Sequence, residues 1–262
     1  MKVIAVANQK GGVGKTTTAV NIAAYMSYFG RQVLLIDIDP QGNASSGVGM
    51  DKVNLKASVY DVLLESTEIK DAVKPTAHDW LDVLPANIDL TGAEIELVNV
   101  IARETRLRKK IEAVTKLYDY VIIDCPPSLG LLTLNALTAA DSILIPIQCE
   151  FYALEGLAQL LQTIELIKGH LNPKLEVEGV ALTMYDGRSN LYNQVREEVK
   201  KYFEAKVYTT IIPRNVRLAE APSYGKTILE YDPSSRGGKA YENLTREVLG
   251  VPMEEEQLSL GL

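Results

Sequence analysis

A glycine-rich loop lies between a short apolar run and a helical pattern close to the start of the chain. The apolar run covers residues 3–7, and the helical pattern begins near Thr18. The loop consists of Lys10, Gly11, Gly12, Val13, Gly14, Lys15, Thr16 and Thr17. Glycines let backbone N–H groups turn toward an anion, and the helix N-terminus that follows adds unpaired donors and partial positive charge. This order of elements predicts a loop that binds the phosphates of a nucleotide.

Two lysines and a threonine give the loop its chemistry. Lys15 is placed to supply a point charge to the outer phosphates, and the Thr16 hydroxyl is a candidate Mg²⁺ ligand. Ordinary phosphate loops have glycine where this chain has Gln9, and a second lysine, Lys10, opens the loop instead.

Short apolar runs alternate with helical patterns along the rest of the chain. The runs predict strands at 3–7, 33–37, 81–84, 120–124, 143–147, 177–183 and 207–212. Several are apolar almost throughout, which is typical of strands buried on both faces of a parallel sheet. Helical patterns are clearest at 151–171 and 190–206. We therefore predict a doubly wound α/β sheet, mostly parallel, with helices on both faces.

The predicted organisation is a single domain over residues 1–250, followed by an acidic, flexible tail at 251–262. Within the domain, segment 42–74 is the least periodic and predicts a loop with a short helix. Segment 92–118 is polar enough to predict an exposed helix with a break. The two histidines, His78 and His170, lack metal-binding spacing and are expected on the surface.

Composition excludes several classes of protein. The 262 residues include only two cysteines, which excludes a disulfide framework and favours a reducing, cytoplasmic compartment. No run approaches 18 apolar residues, so no membrane span is expected. The net charge of −7 argues against nucleic acid as a partner. However, residues 185–246 carry 11 Lys and Arg against 8 Asp and Glu, so this segment alone is basic.

Three aspartates end predicted strands. Carboxyl ends of parallel strands meet at the ligand-binding edge of a sheet, so Asp37, Asp39 and Asp124 are expected close to the phosphate loop. Asp124 closes a strongly apolar run, the arrangement that holds Mg²⁺ directly or through water. Asp37 is the weaker candidate, as a hydrogen-bonding group behind the magnesium site.

The loop with its second lysine resembles the ParA/Soj branch of the MinD-type ATPases, which carry a deviant Walker A motif. The likeness covers about residues 2–250, and its other carriers are the segments 37–43, 92–97, 123–128 and 212–217. In this family the first lysine reaches the partner's nucleotide across a dimer interface, which implies that role for Lys10. The resemblance also implies that Asp39 orients the attacking water. It further implies that Met184, Pro213 and Asn215 hold adenine.

The function implied by the resemblance is chromosome partitioning driven by ATP and Mg²⁺. An ATP-bound homodimer would bind double-stranded DNA without sequence preference, and a ParB/Spo0J-type protein would stimulate slow hydrolysis to ADP. Control of replication through an initiator protein is a second output that the family implies. The DNA contacts carried over from the family are Arg188 and Arg217, with Lys200 and Lys201 as an extension of the same patch. The protein would then be cytoplasmic and associated with the nucleoid.

Two rival functions stay open. A MinD-like regulator at the membrane would need a basic amphipathic C-terminal helix, and the glutamates at 254–256 oppose one. The chain also starts at its first predicted strand, so the N-terminal helix-turn-helix domain of larger plasmid ParA proteins, and with it operator binding, is not expected. An Fe–S reductase would use Cys125 and Cys149, but the sequence around them favours ordinary buried thiols.

Overall fold

The computed structural model describes residues 1–149, 153–186 and 190–252. Eight strands in this part of the chain form one sheet, in the order β3-β4-β2-β5-β1-β6-β7-β8. The strands are β1 (Lys2–Val6), β2 (Val33–Asp37), β3 (Lys74–Pro75), β4 (Leu81–Leu84), β5 (Tyr120–Asp124), β6 (Ser142–Gln148), β7 (Glu176–Tyr185) and β8 (Val207–Pro213). All neighbouring strands run parallel except β3 and β4. The predicted doubly wound, mostly parallel sheet is confirmed.

Helices cover both faces of the sheet. They are α1 (Lys15–Tyr28), α2 (Asn43–Gly47), α3 (Val59–Leu63), α4 (Ile69–Ala72), α5 (Leu90–Glu96), α6 (Arg106–Glu112), α7 (Leu131–Ala139), α8 (Ala153–His170), α9 (Asn190–Phe203), α10 (Val216–Glu220), α11 (Ile228–Tyr231) and α12 (Arg236–Leu249). One apolar cluster joins the sheet to α1, α11 and α12, and a second joins it to the helices from α3 to α9. Successive residues of β1 alternate between these clusters, so the strand is buried on both sides.

Two irregular segments differ from their predictions. Segment 42–74 contains three short helices, α2 to α4, where one was predicted. Segment 92–118 is divided into α5, two short 3₁₀ turns and α6, and it is not simply exposed, because Leu97, Leu107 and Ile111 are buried in the core. Ala102 lies between the 3₁₀ turns with φ +57°, a left-handed conformation that ends a helix. The two-residue edge strand β3 was not predicted, because two residues carry no alternation.

Candidate nucleotide-binding site

The glycine-rich loop connects the end of β1 to the start of α1 at the carboxyl edge of the sheet. Gly12 and Gly14 have φ values of +75° and +86°, which only glycine adopts without strain. Gly14 precedes α1, and the first turn of α1 has neither a side-chain cap nor an acidic residue. The first backbone N–H groups of α1 therefore have no side-chain cap that competes with a bound anion.

The side chain of Lys15 is held in place by a backbone carbonyl of its own loop. Its side chain is mostly buried, and its Nζ donates a hydrogen bond to the Lys10 carbonyl over 3.0 Å. Burial lowers the pKa of this lysine, while nearby Asp124 and Asp39 act in the opposite direction. The ammonium is thus a desolvated cation beside the loop, a favourable partner for phosphate oxygens.

Lys10 lies at the rim of the same loop. Its backbone N–H donates to Asn8 Oδ1 over 3.0 Å, and the Asn8 amide donates to the Pro146 carbonyl over 2.7 Å. These bonds fix the head of the loop against the end of β6. The two lysines are therefore joined through one loop but differ in exposure, since Lys15 is buried and Lys10 is half-buried.

Asp37 is a structural anchor at the end of β2. It is fully buried, and its carboxylate accepts hydrogen bonds from the Ser45 N–H and hydroxyl, each at 2.7 Å, and from the Asp39 N–H at 3.2 Å. Burial raises its pKa to about 6 in spite of these donors. Asp37 therefore ties the start of α2 to the sheet, which agrees with its predicted hydrogen-bonding role.

Asp124, which ends β5, pairs in register with Asp37 on the adjacent strand β2, so both carboxylates lie at the same edge. Asp124 is fully buried, and neither of its oxygens has a hydrogen-bond partner of ordinary geometry. Burial raises its pKa well above the usual range, and Asp37 raises it further, whereas Thr16 and Lys15 lower it. A buried carboxylate with open lone pairs beside a threonine hydroxyl fits a divalent cation. The described residues contain no cluster of three or more His, Cys, Asp or Glu side chains that could hold a metal. Mg²⁺ held partly by phosphates and water needs no such cluster.

Asp39 lies further out on the same edge. Its side chain is mostly buried, and its Oδ1 accepts the Gln41 N–H over 2.9 Å. Asp39 lines a cleft of about 380 Å³ over the phosphate loop; the other lining residues are Gly11, Gly12, Gly14, Lys15, Thr16, Thr17, Gln41, Asn43, Pro127 and Met184. The structure therefore brings Asp39 together with most of the loop residues that were predicted to bind phosphate.

Some lining residues were missed by the sequence reasoning. Gln41 and Asn43 follow Asp39 in the segment 37–43, but no spacing rule singled them out. A second cleft, of about 400 Å³, shares Thr16, Thr17 and Asn43 with the first. Its far wall comes from Leu218, Ala221, Pro222, Ser223, Lys226 and Ile228, about 200 residues along the chain. Only the tertiary fold could reveal that wall.

The chain is similar to known proteins in both sequence and structure. Residues 1–177 match a family model described as an AAA domain. The sporulation initiation inhibitor protein Soj of Bacillus subtilis is 62% identical over 247 residues, covering 94% of this chain and 98% of that protein. The chromosome partitioning protein ParA of Myxococcus xanthus is 55% identical over 248 residues, covering 95% and 88%. The chain belongs to the ParA/Soj family of chromosome-partitioning ATPases.

Solved structures share the family fold. Cobyrinic acid a,c-diamide synthase of Mycobacterium smegmatis, with bound ADP and magnesium, is 40% identical with a TM-score of 0.83, covering 95% of this chain and 94% of that one. The cell division ATPase MinD of Pyrococcus furiosus is 26% identical with a TM-score of 0.79, covering 95% and 98%. These relatives carry different activities on one fold, so the fold alone does not assign the activity.

The adenine contacts expected from the ParA/Soj family lie at the same end of the sheet. Met184, at the end of β7, has φ +53° and lines the phosphate cleft beside Gly14. Pro213 ends β8, and Asn215 caps α10 by accepting the Arg217 N–H over 2.8 Å. Neither Pro213 nor Asn215 lines the cleft, and their role with adenine stays a prediction.

The basic residues expected to contact DNA are paired with carboxylates where the structure describes them. Arg188 lies outside the described residues. Lys200 and Lys201, in the last turn of α9, pair with Glu197 and Glu198 of the same helix. Arg217 pairs with Glu220 over 3.0 Å and with Asp232 over 3.5 Å. Lys200, Lys201 and Arg217 are therefore paired cations. The predicted single patch is divided, because Lys200 and Lys201 precede β8 whereas Arg217 follows its carboxyl end.

The two cysteines and two histidines differ in how far they are buried. Cys125 is fully buried and Cys149 is half-buried, and burial raises the pKa of both thiols. Buried, protonated thiols are poor ligands for a cluster shared across a subunit surface. His170 is exposed, as predicted. The surface prediction for His78 is wrong, because its side chain is only 10% exposed and its Nε2 lies 3.1 Å from Glu230 and 3.0 Å from Thr227.

No helix in the described part of the chain has the length and apolar character needed to cross a membrane. The predicted tail at 251–262 falls almost wholly outside the described residues, so its flexibility stays a prediction.

Proposed function

We propose that this protein is an ATP-driven switch that partitions chromosomes by binding DNA as a nucleotide-bound dimer. The observation that carries the proposal is the phosphate loop with two lysines, one buried and one at the rim, beside three edge aspartates. A single-lysine loop would suffice for nucleotide binding alone. The second lysine is accounted for if a partner protomer brings its own phosphates to the rim.

The ligand of this site is ATP or ADP with Mg²⁺. The M. smegmatis structure with ADP and magnesium, and a second one with an ATP analogue and magnesium, cover 95% of this chain at 40% identity. In this chain Lys15 and the N-terminus of α1 would bind the phosphates, and Thr16 with Asp124 would hold the cation. The cation, when bound, supplies charge neutralisation at the outer phosphates.

Hydrolysis is assigned to Asp39 as the residue that orients water. Asp39 borders the cleft, and its Oδ1 is already engaged by the Gln41 N–H, which fixes the direction of the carboxylate. A carboxylate positioned in this way can accept a hydrogen bond from a water molecule, and the lone pair of the water oxygen is then directed at phosphorus. We infer slow turnover, with stimulation by a ParB/Spo0J-type partner, because the relatives act in chromosome partitioning.

DNA is assigned to the basic segment, with Arg217 as its described centre and Arg188, Lys200 and Lys201 as further contacts. Lysine and arginine contacts to phosphates are blind to sequence and sensitive to salt. A twofold-symmetric dimer would present each contact twice. Replication control through an initiator protein is a further output of the same proposal.

A MinD-like regulator at the membrane is the alternative, and the observation that favours it is the structural likeness to MinD of P. furiosus. Co-sedimentation with anionic liposomes in the presence of ATP would support this alternative.

The test of the proposed function is DNA binding measured with ATP, with ADP and without nucleotide. We expect tight binding to a random duplex with ATP only, falling steeply as salt is raised. Equal binding in all three conditions, or none with ATP at low salt, would overturn the proposal.

A further inference from the structure

Arg217 is held by two carboxylates that come from different elements. Its Nη1 lies 3.0 Å from Glu220 Oε2 within α10, and its Nε lies 3.5 Å from Asp232 Oδ2, which follows α11. The arginine side chain is 54% exposed, so the pair of contacts lies at the surface. A guanidinium facing two carboxylate groups has the partners that a DNA phosphate would otherwise offer.

The two acceptors are themselves fixed in place. The Tyr231 hydroxyl donates to Glu220 Oε2 over 3.1 Å, and the Tyr231 ring stacks on Tyr224 with centroids 5.3 Å apart. The Ser234 hydroxyl donates to Asp232 Oδ1 over 2.9 Å. Exposed ion pairs are weak in part because two flexible side chains must be ordered. That cost is reduced here, because both carboxylates are ordered by other groups.

The lysines of α9 provide the contrast. Lys200 and Lys201 each pair with one glutamate three residues earlier on the same helix. Such pairs contribute little and break easily. Arg217 is therefore more firmly engaged than the other described cations of the proposed DNA surface.

We propose that Glu220 and Asp232 form a carboxylate clamp that occupies Arg217 in place of a DNA phosphate, so that DNA must displace the clamp to bind. The clamp lowers the affinity for DNA and keeps the surface from binding other polyanions. This inference rests on the proposed DNA binding and adds the regulation of its central residue.

The test compares the wild type with a Glu220→Gln/Asp232→Asn variant, using a random duplex and saturating ATP at fixed salt. A Glu242→Gln variant is the matched control, since Glu242 pairs with Arg246 within α12. We expect the clamp variant to bind roughly four- to twentyfold more tightly, as two exposed ion pairs are removed from each protomer of a dimer. The control should change by less than about twofold.

The same substitutions are then made in an Arg217→Ala background, where the gain should disappear because the clamp acts only through Arg217. A gain that survives would mean that the general field of the surface is responsible, and it would overturn the clamp. Unchanged affinity of the clamp variant would overturn it as well. Glu220→Gln alone keeps an acceptor for Tyr231 and provides the same test if the double variant is unstable. Absence of any ATP-dependent binding by the wild type would instead overturn the proposed function.

Discussion

Two charged regions of the molecule are built in opposite ways. One is the phosphate cradle, formed by the loop at 10–17 with Asp37, Asp39 and Asp124, and the other is the basic surface proposed to bind DNA, with Lys200, Lys201 and Arg217. In the cradle, Lys15, Asp37 and Asp124 are buried, and backbone geometry fixes their surroundings. On the basic surface, Lys200, Lys201 and Arg217 are exposed and pair with nearby carboxylates. Charges in a low-dielectric site interact strongly and cannot be removed cheaply, whereas exposed charges are screened. Substitutions in the cradle should therefore abolish nucleotide binding or hydrolysis, whereas substitutions on the surface should change the affinity for DNA by degrees.

The largest effect is expected at Lys15. Lys15→Ala removes the desolvated ammonium that faces the phosphates, so ATP affinity should fall by at least about 100-fold. The measurement is equilibrium binding of a fluorescent ATP analogue. Lys2→Ala is the control, because Lys2 is also paired, with Glu178 at 2.7 Å, but lies at the other end of β1. Retained wild-type affinity in Lys15→Ala would contradict the assignment of the site.

Asp39→Ala should separate binding from turnover. Loss of the residue that orients water should lower kcat by about 100-fold or more while ATP affinity stays near that of the wild type. The ATP-bound dimer should then accumulate, which light scattering can detect. Asp51→Ala changes an exposed carboxylate after α2 and should turn over normally. Normal turnover of Asp39→Ala would show that another group orients the water.

Lys10→Ala tests whether the rim lysine acts across the interface. Monomer affinity for ATP should change little, because Lys15 is the buried cation and the Lys10 group that it contacts is the backbone carbonyl, which alanine retains. The ATP-dependent dimer should weaken by about 10-fold or more, since its interface loses two cations that face phosphate charge, one from each protomer. Sedimentation velocity with ATP measures this. A dimer of wild-type stability would refute the role in trans.

The contribution of the cation site to nucleotide binding is expected to be smaller. It can be measured as the increase in Tm that Mg-ATP causes. At ligand concentrations near 100 Kd, Mg-ATP should stabilise the wild type by about 2.7 kcal/mol, or roughly 5–10 °C in Tm. Asp124→Asn should lose the part of this shift that EDTA removes from the wild type. An undiminished magnesium-dependent shift in Asp124→Asn would place the cation elsewhere.

The sequence allowed the edge of the sheet to be predicted, because local pattern and local chemistry coincide there. The bounds predicted for β2, β4 and β5 match the structure, and most of the loop residues, without Lys10 and Val13, line one cleft with Asp39. The partners of exposed or distant groups could not be predicted in this way. His78 meets Thr227 and Glu230, and Arg217 meets Asp232, through tertiary packing that no spacing encodes. The short helices of segment 42–74 were missed because each is too short for a periodic pattern.

The link between the ATP-bound dimer and DNA binding can be measured in one doubly substituted protein, Asp39→Ala/Arg217→Glu, in the presence of ATP. The first substitution should hold the protein as an ATP-bound dimer, and the second should place two repelled carboxylates where that dimer meets DNA. We predict a stable dimer by sedimentation whose affinity for a random duplex at low salt is about 10- to 100-fold below that of Asp39→Ala alone. A dimer that binds the duplex as tightly as Asp39→Ala would contradict the assignment of DNA binding to this surface.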